Sequence, residues 1–474
     1  MTFYFFDLET SGISARFDRI MQFAGQRTDK DLKPIGEPDN ILIKLTPDIL
    51  PQPEAILITG ITPQQTSAEG ITEAQFLEYF FEHISVPDTV MVGFNNIRFD
   101  NEFMRFALWR NFYDAYEWSW KNGNSTWDLL DVARMTRALR PEGIKWPFAP
   151  DGKPSNRLEL LASINKLEHA NAHDALSDVL ALVELAKLIK AKQPKLFDYL
   201  LNMRGKDKVA ALVNAGQPFI YTSGRYPNEY EKTTVVAKIA DHPGRPAALV
   251  YDLRVNPDEF VNLSPEKLAE LMNDWSKEAP YFPVKTLIYN RCPAIAPMNV
   301  LDELSRKRLK IDQDELKANL AKLNAADDFG DKLIRAIEIS KKPAQSEIVA
   351  DPQKVDAQLY DGFIKDGDKT KMSAIRAAEP STLGELHLDF SDERLKTLLP
   401  LYKARNYPKL LSEEETVAWE DFRRQKLAAD GDKSAIARYF AKLNELAGRA
   451  DSTDEKRYLL EELNLYGRSV SPVD

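Results

Sequence analysis

An acidic pair stands near the start of the chain, in the segment FFDLET. Asp7 and Glu9 are two residues apart in an aromatic run that predicts a β-strand. Because side chains alternate across a strand, both carboxylates should lie on one face. Two neighbouring anions are costly unless they reach water or basic partners, or bind a metal ion. Oxygen ligands favour Mg²⁺ or Mn²⁺ over zinc. A strand end exposed to water is the alternative, and it is the commoner explanation of an isolated acidic pair.

A third acidic residue follows another apolar run. Asp100, in VGFNNIRFDNEF, stands where a predicted buried strand gives way to a predicted helix. An exposed loop acid or a helix cap is the alternative interpretation of this segment.

The segment NAHDALSDV places His173 and Asp178 at the entry to a long predicted helix. Five residues of α-helix turn through about 140°, so these two side chains cannot share a helical face. If both serve one site, His173 precedes the helix and Asp178 lies in its first turns. Asp174, four residues before Asp178, faces the same way. A helix cap for Asp174 and a surface position for His173 are the alternatives.

Together these residues could perform phosphodiester hydrolysis. Four carboxylates could hold two divalent cations about 3.5 to 4 Å apart. A histidine titrates near neutral pH and could accept a proton from the attacking water.

Composition limits the classes of protein. The chain has 474 residues, 43% of them hydrophobic and 29% charged, which suits a soluble protein with more than one core. One cysteine, Cys292, excludes an internal disulfide and a cysteine-rich zinc site and suits a reducing compartment. No signal peptide or membrane span is recognisable, so we expect a cytoplasmic protein without membrane contact. The net charge of −10 argues against bulk attraction to nucleic acid, so any such site must be a local basic path.

The chain divides into three regions with different secondary-structure patterns. The first 200 residues alternate strand-like and helix-like patterns, as in an α/β sheet flanked by helices. From about Pro218 short β-rich runs predict a small barrel-like module with helical insertions, and beyond about Asp351 the patterns are helical. We therefore expect domains at 1–200, 201–350 and 351–474.

The order of DxE, Asp and His-x4-Asp resembles the DEDDh class of 3′ to 5′ exonucleases, which have a ribonuclease H-like fold. Longer segments resemble the bacterial exonuclease I family within that class. These segments are LPQPEAILITGITPQ, GFNNIRFDNEF, RNFYDAYEWSW, WDLLDV, ALRPEGIKWP, NAHDALSDV, VDAQLYDGF and YKARNYP. The resemblance covers nearly the whole chain. It implies an exonuclease domain with a mixed sheet, an SH3-like domain and a C-terminal α-helical domain that together enclose one DNA strand.

The resemblance also implies roles for particular residues. Asp7, Glu9 and Asp178 would be metal ligands, Asp100 a ligand of the second metal, and His173 the base. Two Mg²⁺ ions are the implied cofactor, with Mn²⁺ as the substitute. Asp178 is thereby chosen over Asp174, which the spacing alone leaves open. Arg157 would contact the substrate phosphate near the terminal nucleotide, and Glu9 would also face the substrate.

A path for a single strand is indicated between residues 101 and 160. This segment holds five of the seven tryptophans and nine basic against eight acidic residues. Bases stack on aromatic faces while cations follow the phosphates. The residues that the resemblance implies in DNA contacts are Arg105, Tyr116, Trp120, Arg134, Arg140, Tyr199, Lys206, Tyr360 and Phe363. Core packing is the alternative for the aromatics, above all for the unassigned Trp109, Trp118 and Trp127, and pairing with neighbouring acids is the alternative for the arginines.

The sequence thus predicts a Mg²⁺-dependent 3′ to 5′ exonuclease. It would release 5′-mononucleotides processively from single-stranded DNA, act as a monomer in DNA repair and recombination, and bind the acidic C-terminal tail of single-stranded DNA-binding protein. An RNA-trimming exonuclease of the same class and an inactive strand-binding scaffold are the alternatives. An intact acidic set with His173 argues against the scaffold.

Overall fold

Two β-sheets and many helices make up the computed structural model, which describes residues 1–167, 174–274, 276, 280–341, 349–386, 388–449 and 453–472. None of the described helices is long and apolar enough to cross a membrane.

The first sheet is mixed, as the family resemblance implied. Five strands of the described chain form it in the order β3-β2-β1-β4-β5. They are β1 (Thr2–Thr10), β2 (Ile20–Thr28), β3 (Asp39–Leu42), β4 (Thr89–Gly93) and β5 (Ser125–Asp128). The central strand β1 pairs antiparallel with β2 and parallel with β4. The short strand β5, parallel to β4, was not predicted.

Helices cover both faces of this sheet. They are α1 (Pro53–Thr59), α2 (Pro63–Glu69), α3 (Glu73–Tyr79), α4 (Asp100–Arg110), α5 (Leu129–Leu139), α6 (Leu158–Asn165), α7 (Ala175–Lys192), α8 (Pro194–Asn202) and α9 (Lys206–Val213). A π-helical turn, Phe80–Ile84, continues α3. Phe3 and Phe5 of β1 share a core with α5 and α7, whereas Tyr4 and Phe6 share one with α3 and α4. The period of two therefore directs each face of β1 to its own helices.

The second sheet is antiparallel throughout its described pairs, in the order β10-β6-β7-β8-β9. Its strands are β6 (Phe219–Thr222), β7 (Thr233–Asp241), β8 (Ala247–Asp252), β9 (Val284–Ile288) and β10 (Ala294–Pro297). The accompanying helices are α10 (Pro265–Asn273), α11 (Glu303–Arg308), α12 (Gln313–Ala325) and α13 (Phe329–Ser340). The predicted β module with helical insertions is confirmed, although β10 was missed.

The described residues from 349 onwards contain helices and no strand. They begin with the 3₁₀ segment Val355–Asp361 and continue as α14 (Asp366–Ala377), α15 (Glu393–Asn406), α16 (Glu413–Ala428), α17 (Ala435–Ala447) and α18 (Asp454–Val470). The helical prediction for this part is confirmed.

A buried charge cluster joins these C-terminal helices to the first sheet. Arg405 donates to Asp48 at 2.8 Å and to Asp356 at 2.9 Å. Lys426 also pairs with Asp48, at 2.7 Å, and Arg19 with Asp356, at 2.5 Å. Burial opposes ionisation of both aspartates, but the neighbouring cations, Arg405 foremost, hold the pKa of each below its usual value. Breaking such a cluster should be costly, because a buried charge would lose its partner.

We expect Arg405→Met to lower the free energy of unfolding by about 3 to 5 kcal/mol, because it leaves two buried aspartates with fewer cations. Denaturant unfolding measures the change. Lys396→Met on the same helix is the matched control, since its pair with Glu393 is exposed and worth at most about 1 kcal/mol. Equal unfolding midpoints for the two variants would contradict a stabilising role for the cluster.

Candidate functional site

Strand β1 carries Asp7 and Glu9 on the face that packs against α7. Asp7 lies opposite Ala24 of β2 and Glu9 opposite Gln22, and the ladder becomes irregular directly after Glu9. Their side chains continue the row begun by Phe3 and Phe5. The aromatic row anchors the strand, so the two carboxylates are fixed where the core ends.

Helix α7 brings the third carboxylate. Asp174 caps this helix by accepting a hydrogen bond from the Ser177 amide at 3.3 Å, and Asp178 lies in the first turn. One ligand oxygen each of Asp7, Glu9 and Asp178 lies within 4.8 Å of the others, and all three residues are half-buried. The sequence predicted this convergence, and it left the capping role of Asp174 open.

Asp100 is the first residue of α4, at the edge where the parallel strands β1 and β4 end. A tight loop leads to it, since a Cβ at Gly93 would stand only 2.5 Å from the Cβ of Asn96. Asp100 is 3% exposed and lies outside the group of three oxygens within 4.8 Å. Its charge nevertheless acts on Asp7, so it belongs to the same acidic site.

The acids shift one another's protonation. Burial raises the pKa of Asp7 well above its usual value, and the charges of Asp100, Glu9 and Asp178 raise it further. Burial, Asp178 and Asp100 raise the pKa of Glu9 to about 8. The pKa of Asp100 is raised to about 7, mainly by burial, although backbone hydrogen bonds act against the shift. Because a divalent cation would relieve this repulsion, the donor set fits a metal ion bound by oxygen atoms.

Asp128 is an acidic residue that the sequence analysis missed. It caps α5, and its Oδ1 accepts hydrogen bonds from the amides of Leu130 at 3.0 Å and Asn95 at 2.9 Å. Burial, followed by the charge of Asp131, raises its pKa to about 7. Asp128 thus ties the loop before Asp100 to α5. Its position before an amphipathic helix, in WDLLDV, was the available signal.

The other two residues predicted at the cleavage site are His173 and Arg157. His173 lies outside the described residues. Arg157 stands at the N-terminus of α6, where its side chain is 70% exposed and pairs with Glu159 at 2.5 Å.

Three predicted contact residues meet beside α4. The Arg105 guanidinium lies 5.4 Å from the centre of the Tyr116 ring and donates to Glu102. The Tyr360 hydroxyl, from the C-terminal part, also donates to Glu102. Trp120 and Phe363 are 62% and 99% exposed. Exposed rings next to a cation provide the mixture that a single strand requires.

Arg105 and Arg134 each have an acidic partner and, within the described residues, a buried Nε without an acceptor. Arg134 pairs with Asp131 at 2.7 Å, as the alternative interpretation of the arginines allowed. A Cβ at Gly224, beside the second sheet, would stand 3.0 Å from its Nη1. In the described part of the chain, the buried Nε atoms of both arginines have no acceptor. Such a donor is costly until a ligand oxygen binds it.

The remaining predicted contacts lie where the first domain meets the second sheet. Arg140 donates to the carbonyl of Val300 at 2.7 Å and pairs with Asp302 at 3.2 Å. Tyr199 is half-buried between two cores, and burial raises its pKa to about 12. Lys206, the first residue of α9, is exposed.

The unassigned tryptophans Trp109, Trp118 and Trp127 are at most 2% exposed, so core packing is their role. Trp118 also lines the inner wall of a cavity of about 770 Å³ between the first domain and the C-terminal helices. Tyr116, Tyr360 and Phe363 line the same cavity.

Comparisons with known proteins cover all three parts of the chain. A family model described as "Exonuclease" matches residues 4–186, the exonuclease I SH3-like domain matches 204–338, and the exonuclease I C-terminal domain matches 353–470. Exodeoxyribonuclease I of Haemophilus influenzae is 40% identical over 474 residues, which cover 98% of each chain. The chain belongs to the exodeoxyribonuclease I family. It is therefore a nuclease, and the three-part fold inferred from the sequence is confirmed.

Solved exodeoxyribonuclease I structures agree with this assignment. Exonuclease I of Escherichia coli in complex with a dA16 oligonucleotide is 39% identical, with a TM-score of 0.92 and 99% of each chain covered. A zinc-bound form of the E. coli enzyme with single-stranded DNA and an ExoI/SSB-Ct complex both have TM-scores of 0.91. Family membership and the carboxylate cluster together identify a divalent-metal site.

The raised pKa of Glu9 predicts how stability depends on pH. Without metal, the folded protein keeps a proton on Glu9 that the unfolded chain releases above its usual pKa of about 4.5, so ionisation destabilises the fold as the pH rises towards 8. Glu9→Gln cannot ionise. In EDTA we expect this variant to exceed the wild type in stability at pH 9 by on the order of 1 to 3 kcal/mol, with no difference at pH 4.

Denaturant unfolding at the two pH values tests this, with the exposed Glu37→Gln as control. Added Mg²⁺ at pH 9 should stabilise the wild type more than Glu9→Gln. A Glu9→Gln variant less stable than the wild type in EDTA at pH 9 would disprove the repulsion.

Proposed function

We propose that this nuclease degrades single-stranded DNA from its 3′ end and releases 5′-mononucleotides. The observation that carries the proposal is the convergence of Asp7, Glu9 and Asp178 at one sheet edge. The match of the whole chain to exodeoxyribonuclease I proteins supports DNA as the substrate, as does the dA16 complex of the E. coli enzyme.

The acidic residues would hold two Mg²⁺ ions, with Mn²⁺ as the substitute. Asp7, Glu9 and Asp178 are assigned to a first ion and Asp100 to a second. When bound, these ions supply electrostatic stabilisation of the phosphate undergoing cleavage. His173 is assigned as the base that accepts a proton from the attacking water, following the family resemblance.

The strand would approach this site along the arginines and exposed rings. The guanidinium groups of Arg105 and Arg134, whose buried Nε atoms have no acceptor among the described residues, suit phosphate oxygens. Bases of the strand could stack on the exposed rings of four residues, Tyr116, Trp120, Tyr360 and Phe363. Of the remaining predicted contacts, Arg157 is assigned to the phosphate near the terminal nucleotide and Arg140, Tyr199 and Lys206 to the strand further along.

We assign the domains to 1–200, 201–350 and 351–474. Three domains around one strand would exclude a duplex and keep the strand bound between cuts, which is the basis for proposing processivity. We further propose a monomeric cytoplasmic enzyme of DNA repair and recombination. The ExoI/SSB-Ct complex supports the acidic C-terminal tail of single-stranded DNA-binding protein as its partner.

Substrate choice tests the proposal directly. With Mg²⁺ we expect rapid release of mononucleotides from 3′-labelled single-stranded DNA, and little from RNA or blunt duplex DNA. Gel or chromatographic analysis of the products measures this. RNA degraded as fast as DNA would favour an RNA-trimming enzyme, and binding without cleavage would favour a scaffold.

Removing a metal ligand should separate cleavage from binding. We expect Asp178→Ala to lower kcat by more than about 10²-fold, the scale of losing one electrostatic group from an active site. Affinity for single-stranded DNA should stay within a few-fold, because the arginines and aromatic rings are intact. Glu184→Ala on the same helix is the control, since Glu184 pairs only with Lys187 among the ion pairs of the described residues. Full activity in Asp178→Ala would refute the metal assignment.

A further inference from the structure

One carboxylate, Glu102, connects all three parts of the molecule. Its Oε1 accepts a hydrogen bond from Arg105 of the first domain at 2.5 Å and lies 3.9 Å from Nη2 of Arg291, which follows β9 of the second sheet. Its Oε2 accepts a hydrogen bond from the hydroxyl of Tyr360 in the C-terminal part. The Glu102 side chain is 23% exposed, so water screens these contacts only in part.

Helix α4 sets the position of Glu102 relative to the metal site. Asp100 and Glu102 are two residues apart on this helix, so their side chains point in directions about 160° apart. Asp100 faces the acidic cluster, and Glu102 therefore faces away from it. Arg105 is three residues beyond Glu102 and shares its side of the helix. One rigid helix thus carries both a predicted metal ligand and a predicted strand contact.

Glu102 determines the orientation of the Arg105 guanidinium. It binds Nη1, while the Tyr116 ring lies beside the same group at 5.4 Å. The Nε atom is left buried and, within the described residues, without an acceptor. A guanidinium held at Nη1 has a fixed plane, so its remaining N–H donors point in fixed directions, which suits a phosphate oxygen.

Glu102 also determines the position of the Tyr360 ring. The ring packs edge-on against Phe106, with centroids 5.5 Å apart and an angle of 84° between the planes. Burial and the hydrogen bond to Glu102 raise the pKa of Tyr360 above its usual value, consistent with a hydroxyl that donates to this carboxylate. The ring is 43% exposed and therefore keeps a face open beside the hydrogen bond.

We infer that Glu102 is a positioning residue for the DNA strand. It holds Arg105 and Tyr360 in the orientation in which they bind the strand. This inference rests on the proposed function and adds a residue to it. The hydrogen bonds and ion pairs of Glu102 within the described residues go to Arg105, Arg291 and Tyr360 and not to the acidic cluster. Its loss should therefore weaken binding of strands long enough to reach Arg105 and leave the cleavage step unchanged.

The test compares Glu102→Ala with Glu184→Ala, which removes another i,i+3 ion pair of intermediate exposure. Affinity for a 30-nucleotide single strand is measured by fluorescence anisotropy in EDTA, and kcat and KM are measured with Mg²⁺ on the 30-mer and on a dinucleotide. We expect Glu102→Ala to weaken binding and raise the KM of the 30-mer by about tenfold, the equivalent of one charge-assisted hydrogen bond. Dinucleotide kcat should stay within about twofold, and Glu184→Ala should match the wild type.

Tyr360→Phe provides a milder variant, because it removes the hydroxyl and keeps the ring. It should weaken 30-mer binding in the same direction, and its effect should not add to that of Glu102→Ala. Unchanged binding in Glu102→Ala, additive effects of the two changes, or an equal loss of kcat on the dinucleotide would each overturn the inference. A wild type that binds the strand without cutting it would refute the proposed function, and the EDTA measurements would still decide the role of Glu102.

Discussion

Repulsion among buried and half-buried carboxylates at the end of β1 is the constraint that shapes the first domain. Asp7, Glu9 and Asp178 lie close together although burial disfavours their charge, and Asp100 adds to the repulsion. The aromatic face of β1, the cap of α7 and the loop held by Asp128 oppose it by fixing the backbones that carry these acids. The fold keeps together groups that would otherwise separate, and a divalent cation would turn this repulsion into attraction.

The alternation of side chains along a strand and the spacing of residues along a helix were sufficient to predict much of this site. Alternation along β1 placed Asp7 and Glu9 on one face, and helical spacing placed Asp178 in the first turn of α7. The choice of Asp178 over Asp174 needed the family resemblance, because both carboxylates occur at the same helix entry. His173 stays a prediction, since it lies outside the described residues.

Features that depend on contacts distant in sequence were not predictable. Strands β5 and β10 are short and, unlike the equally short β3 and β6, lie in no longer run of β-branched, aliphatic or aromatic residues. The number of tryptophans in the 101–160 segment does not reveal which of them are buried, like Trp109, and which are exposed, like Trp120. The role of Glu102 was not predicted, because its spacing from Arg105 is that of an ordinary helical ion pair and its other partners, Arg291 and Tyr360, lie far from it in sequence. Three-dimensional structure was needed to separate these roles.

Asp7 and Asp178 are separated by 171 positions in the chain, yet they share one site. During synthesis, β1 can pair with β2 soon after both leave the ribosome, but the acidic site stays incomplete until α7 has emerged and docked on the sheet. The nascent chain therefore carries no assembled metal centre for more than a third of its translation. Contacts of such long sequence separation are slow to form because of loop-closure entropy, so nuclease competence requires a large part of the first domain to be synthesised and docked.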